Sequence, residues 1–137
     1  MKQDYTLKQI GNLLLSKAAI GSIGGEVGRL RLLIDTGASY TMLPIEAVES
    51  LGYDISHPTR RVRMIAANGI VMAPVIKVVW FNCLGQKIDD FPIVVHTIPS
   101  GTMADGLLGM DFLVKCRAVI STGEAKIHFQ KLEAGKA

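Results

Sequence analysis

Apolar and polar residues alternate, or run in short blocks, at the spacing of strands rather than of helices. Leu13 to Ile20 and Val27 to Ile34 are β-prone, and glycines at 21, 24, 25 and 28 predict turns or bulges between them. In Arg29-Leu30-Arg31-Leu32-Leu33-Ile34 the alternation gives way to a continuous apolar run, as for a strand entering a core. That strand ends at Asp35-Thr36-Gly37-Ala38-Ser39. Pro44 suits the first turn of a short helix, which Gly52 closes after Leu51. Arg61 to Ala66 and Ile70 to Phe81 flank Ala67-Asn68-Gly69, and Asn-Gly between β-prone runs predicts a tight hairpin. A strand from about Lys87 to His96 follows a turn at Leu84-Gly85-Gln86. After a loop at Pro99-Ser100-Gly101, the stretch Gly106 to Leu113 turns helical in its second half, to about Lys115. Val119-Ile120 and Lys126 to Phe129 read as closing strands around Ser121-Thr122-Gly123. The expectation is a mainly β domain over residues 15–131, with one or two short helices. An N-terminal segment, 1–14, precedes it and a flexible tail, 132–137, follows.

A length of 137 residues suggests one domain, and 49% apolar residues exclude a disordered chain. The formal charge of +3 is mild and spread along the chain. Arg60, Arg61 and Arg63 form its dense cluster, read as a solvated strand face, so nucleic acid is not an expected partner. Cys83 and Cys116 make neither a disulfide framework nor a metal site; they read as small apolar residues, with one bridge left open. His57, His96 and His128 have no metal-ligand spacing, and no metal or cofactor is expected. The apolar tract Ile70 to Phe81 is broken by Pro74 and Lys77 and is too short to cross a bilayer. Met1 to Ile10 carries Asp4 and polar residues where a signal peptide would be apolar, so a cytoplasmic protein without membrane contact is expected.

The chemistry-bearing feature is Leu32-Leu33-Ile34-Asp35-Thr36-Gly37-Ala38. Three aliphatics deliver Asp35 to a turn with no cation beside it in the chain, and an unpaired charge there is costly if simply buried. A second carboxylate sharing one proton would relieve that cost, and such a pair can activate water against a carbonyl. The bland alternative is a turn, since Asp and Gly are ordinary turn formers after a strand. Leu107-Leu108-Gly109, some seventy residues on, supplies an apolar strand whose glycine lets another backbone pass close by.

Asp35-Thr36-Gly37-Ala38-Ser39, the Asn68-Gly69 hairpin and Leu107-Leu108-Gly109-Met110-Asp111-Phe112-Leu113 resemble, in order and spacing, the retropepsin-like (retroviral-type, single-domain) aspartic proteases. The resemblance implies a closed antiparallel β-barrel. Asp35 would be the catalytic aspartate. Thr36 would grip the neighbouring active-site loop, and Gly37 and Ala38 would complete the loop. Ala66, Ala67, Asn68, Gly69 and Ile70 would form a flap over the substrate, with Leu107 beside a substrate pocket. Leu108 and Gly109 would brace the active-site loop. One Asp-Thr-Gly triplet per chain implies a symmetric homodimer acting on an extended peptide. Ala38 stands where pepsin-like sequences carry a hydroxyl residue, which implies a mildly rather than strongly acidic optimum. Ser39 and Met110 depart from a charged pair common in viral members. Asp105 and Asp111 read as turn and helix-start residues. A non-catalytic peptide-binding or dimerisation module with the same fold is the alternative, and an unrelated β-barrel ligand binder a second.

Overall fold

The two runs around the glycines pair as an antiparallel hairpin, β3 (Leu13–Gly21) and β4 (Val27–Ile34), in register from Leu15↔Leu33 to Gly21↔Val27. This arrangement comes from a computed structural model that describes residues 3–66 and 69–131. Period-two alternation sets the faces of β3: Ser16, Ala18 and Ile20 are buried while Lys17 is exposed.

A second hairpin pairs β6 (Arg60–Ala66) with β7 (Gly69–Cys83), and β7 continues into a third with β8 (Gln86–Val95). The β6–β7 ladder ends at Ala66↔Gly69, so Gly69 (φ +120°) begins the returning strand instead of sitting at the centre of the turn. The expected flap-tip residues Ala67 and Asn68 lie outside the described residues. The β7–β8 turn is Leu84-Gly85, both at positive φ (53° and 75°), which matches the twist of the flanking strands.

Two short strands complete a barrel. β9 (Gly106–Leu108) lies parallel to β4, and β5 (Met42–Leu43) lies parallel to β8 and antiparallel to β9. The order β3-β4-β9-β5-β8-β7 closes on itself through Ala18↔Cys83, Ala19↔Asn82 and Ile20↔Phe81. The result is the closed, six-stranded barrel that the sequence reading expected, with parallel pairs β4–β9 and β5–β8 among otherwise antiparallel ones. No alternation could announce β5, because two residues carry no period.

The segment ahead of residue 15 is woven into the fold. β1 (Tyr5–Thr6) pairs with β11 (Lys126–Phe129), which also pairs with β10 (Ala118–Ser121); β2 (Lys8–Ile10) pairs with β3. Between them Leu7 is only 3% exposed and belongs to the core, so residues 5–10 are structural rather than a separate leader.

Both helices have one turn and a half. α1 (Ile45–Ser50) follows Pro44 as expected, and α2 (Met110–Lys115) follows Gly109. Phe112 of α2 is fully buried, with ring centroids 5.5 Å from Phe81, 6.3 Å from Phe91 and 6.2 Å from Phe129. Edge-to-face packing of this kind adds to the ~1.5–3 kcal/mol from burying the ring, so α2 and the strand before it are held in place.

Candidate active site

β4 delivers Asp35 just past its C-terminal end, where Leu32 is fully buried and Leu33 and Ile34 are half-buried. Leu32, Leu33 and Ile34 pair with Gly106, Leu107 and Leu108, and the ladder continues one step further as the Asp35 amide donates to the Leu108 carbonyl (3.0 Å). The chain then reverses: the Ala38 amide donates to the Asp35 carbonyl (3.2 Å), and the Gly37 amide donates to Asp35 Oδ1 (2.9 Å). The carboxylate is thereby oriented by its own turn. Asp35 is half-buried, whereas Thr36 and Gly37 stand exposed at the tip.

Behind this tip the loop is fastened to β9 and α2. The Met110 amide donates to the Ala38 carbonyl (2.8 Å) and the Asp111 amide to the Ser39 carbonyl (3.1 Å). Asp111 Oδ1 accepts from the Thr41 amide (2.9 Å), the Thr41 hydroxyl (2.8 Å) and the Phe112 amide (2.8 Å). Thr41 Oγ1 in turn accepts from the Gly109 amide (3.1 Å), and Thr41 is completely buried. No buried side-chain oxygen in this cluster is therefore left without a partner, as a buried network requires. Gly109 is obligatory for steric reasons: a Cβ there would run into the Tyr40 carbonyl group and come within 2.8 Å of the Thr41 nitrogen.

Asp111 was expected to start a helix. It does so through Phe112, but it also ties residues 41 and 111 together across the fold. Thr41 was not singled out from sequence. The available signal is a hydroxyl residue inside Tyr40-Thr41-Met42-Leu43, an otherwise apolar stretch where a buried polar group must find partners.

The described residues of the β6–β7 hairpin divide by face. Val62 and Ala73 are buried in a small cluster with Val75 and Val94, against which Met64, Tyr40 and Met42 pack. Ile65, Ile70 and Met72 lie on the opposite face and are 90%, 56% and 57% exposed. Ile70, one of the expected flap residues, thus lies on the face opposite to that of Met64 and Val71. Leu107, expected beside a pocket, is 5% exposed and is covered between Leu33 and Met42, its partners in the sheet. Leu108 is fully buried. Among the described residues no cluster of His, Cys, Asp or Glu could hold a metal ion, and no helix is long and apolar enough to cross a membrane.

A family model described as aspartyl protease matches residues 19–112, which spans the strand before Asp35 through Phe112. Among solved structures, the chain is similar to a retropepsin-like aspartic protease from Rickettsia conorii, at 18% identity and a TM-score of 0.71, covering 94% of this chain and 92% of that one. No curated protein sequence matches significantly.

Proposed function

The chain belongs to the aspartyl protease family and carries the retropepsin-like fold, and from that premise we propose that it is an endopeptidase working as a symmetric homodimer, with Asp35 contributed by each copy. The observation that carries this reading is the asymmetry of the active-site loop. It is braced from behind by Leu108, Gly109 and Asp111, while Thr36 and Gly37 at its tip face outward. A twofold axis at that tip would bring two loops together and supply the second carboxylate that a single triplet lacks.

Two carboxyl groups about 3 Å apart hold one proton between them. The ionised one takes a proton from a bound water as its oxygen attacks the peptide carbonyl carbon. The protonated one donates to the carbonyl oxygen, giving a neutral tetrahedral diol. Collapse reforms a carbonyl, breaks the C–N bond and returns a proton to the departing amine. The Gly37 amide on Asp35 Oδ1 fixes the carboxylate throughout. The β6–β7 hairpin is the candidate lid, and an extended peptide would add to it as a strand.

The test is digestion of a peptide library by wild type and by Asp35→Asn, at several protein concentrations. Wild type should cut, with specific activity falling on dilution through the dimer dissociation range. Asp35→Asn should keep its fold and lose roughly a thousandfold or more in rate. Undiminished cleavage by the variant would remove Asp35 from the mechanism. Peptide binding without cleavage by wild type, from about pH 4 to about pH 7, would identify a binding module instead.

A further inference from the structure

We propose that the outer face of the β3–β4 hairpin is a recognition site for an acidic segment of the polypeptide substrate, read by Lys17, Arg29 and Arg31. The proposal rests on the peptidase reading above and adds a substrate class to it.

A trough of about 630 Å³ runs over this face, lined by Lys17, Arg29 and Arg31 together with Leu84, Met103 and Asp105. A second hollow of about 540 Å³ shares Lys17, Arg31 and Leu84 with it and adds Lys8, so the two lie side by side. Lys17 and Arg31 are direct partners in the β3–β4 register. Their side chains leave the same face with Cβ atoms roughly 5 Å apart, a like-charge arrangement that costs stability in a sheet. Among the described residues none of Lys8, Lys17, Arg29 and Arg31 lies within ion-pair distance of a carboxylate. The acid in the trough, Asp105, is committed to the backbone: its Oδ2 accepts from the Arg31 amide at 2.8 Å, and its own amide donates to the Arg31 carbonyl at 2.7 Å. Three cations against the one carboxylate of Asp105, beside Leu84 and Met103, match a ligand with spaced carboxylates on an extended backbone.

Position ties the trough to the active site. Arg29, Arg31 and Leu33 alternate on one side of β4, and Asp35 follows just past the end of that strand. At about 3.3 Å per residue, Arg31 lies roughly 13 Å and Arg29 roughly 20 Å from Asp35 along the strand. A substrate held at Asp35 covers such distances with at least about four to six extended residues, so the trough lies within reach of the segment flanking the cut bond.

The experiment separates the trough from the chemistry. Asp35→Asn protein, with and without Lys17→Gln and Arg31→Gln, is titrated into a fluorescein-labelled 12-residue peptide holding four glutamates. A glutamine counterpart and a 12-nucleotide single-stranded DNA of random sequence are the other probes. The glutamate peptide should bind at least tenfold tighter than its glutamine counterpart and no more weakly than DNA, and raised salt should erode the difference. The Lys17→Gln, Arg31→Gln pair should abolish the preference while leaving the melting temperature unchanged or higher, since it relieves the opposed charges. Equal binding of the two peptides, indifference to the double substitution, or tighter binding of DNA would each overturn the proposal. With active protein, glutamates at least four residues from a cleaved bond should raise kcat/KM mainly through KM, in wild type only. Cleavage without that gain overturns the substrate assignment. Charge preference without any cleavage overturns the peptidase reading alone.

Discussion

Thr41→Val removes one oxygen from the network behind the Asp35 loop without opening a cavity, because valine has the same shape. The Thr41 hydroxyl donates to Asp111 Oδ1 (2.8 Å) and accepts from the Gly109 amide (3.1 Å), with no part of the residue exposed. In the variant the Gly109 N–H is buried without an acceptor, a loss of about 1–3 kcal/mol. Asp111 loses a charge-assisted bond of about 1.5–3 kcal/mol but keeps the Thr41 and Phe112 amides. The two losses share an atom and do not add fully, so the expected destabilisation is about 3 kcal/mol. Thr41→Ser keeps the oxygen and loses a methyl group, for about 1 kcal/mol. Equilibrium urea unfolding at one fixed protein concentration measures both, since association would otherwise enter the result. A Thr41→Val loss below about 1 kcal/mol, or a serine variant no better than valine, would show that the hydroxyl is not the link between the loop and α2.

Gly109→Ala should cost at least about 3 kcal/mol in the same assay, because the added Cβ meets the Tyr40 and Thr41 backbone, which cannot step aside; a wild-type urea midpoint would refute the close approach. Burial pushes the Cys83 thiol up to about 11, so it should resist iodoacetamide at pH 8 until the protein unfolds, as read by mass spectrometry of the labelled peptides. Because that value is raised above the unfolded one, the associated stability is present below about pH 9 and is lost as pH climbs through about 11; a flat stability profile across that window would contradict it. The Ser56 hydroxyl, then His57, hold Asp54 down from 3.8 to about 2 on an exposed loop. Any stabilisation is therefore present above 3.8 and disappears as pH falls towards 2, and Ser56→Ala should move the Asp54 carboxyl resonance titration upward by NMR.

Most strands and both helices were legible because each is announced within a few residues. Val27–Ile34 shows its entry into the core as a switch from alternation to a continuous apolar run, and Met110–Lys115 is set off by the glycine before it. The Asp35 turn was visible for the same reason, since a carboxylate and a glycine directly after three aliphatics need no distant information. Tyr5–Ile10 was misjudged because its strands are two and three residues long and find partners in β11 and β3. The faces of the β6–β7 hairpin were not legible, because they follow from the register Ile65↔Ile70, which a one-residue slip would reverse.

By itself the amino-acid sequence determined the β-rich class, the strand that carries Asp35, and the glycine over which a second backbone must pass. These follow from local periodicity and from the steric demands of single residues. Only the tertiary structure decided that Thr41 meets Asp111 across 70 positions, that Leu107 is covered, and that Lys17 faces Arg31 over an open trough. Such pairings are set by how the barrel closes, and closure balances many weak contacts against chain entropy across the whole molecule rather than within any one segment.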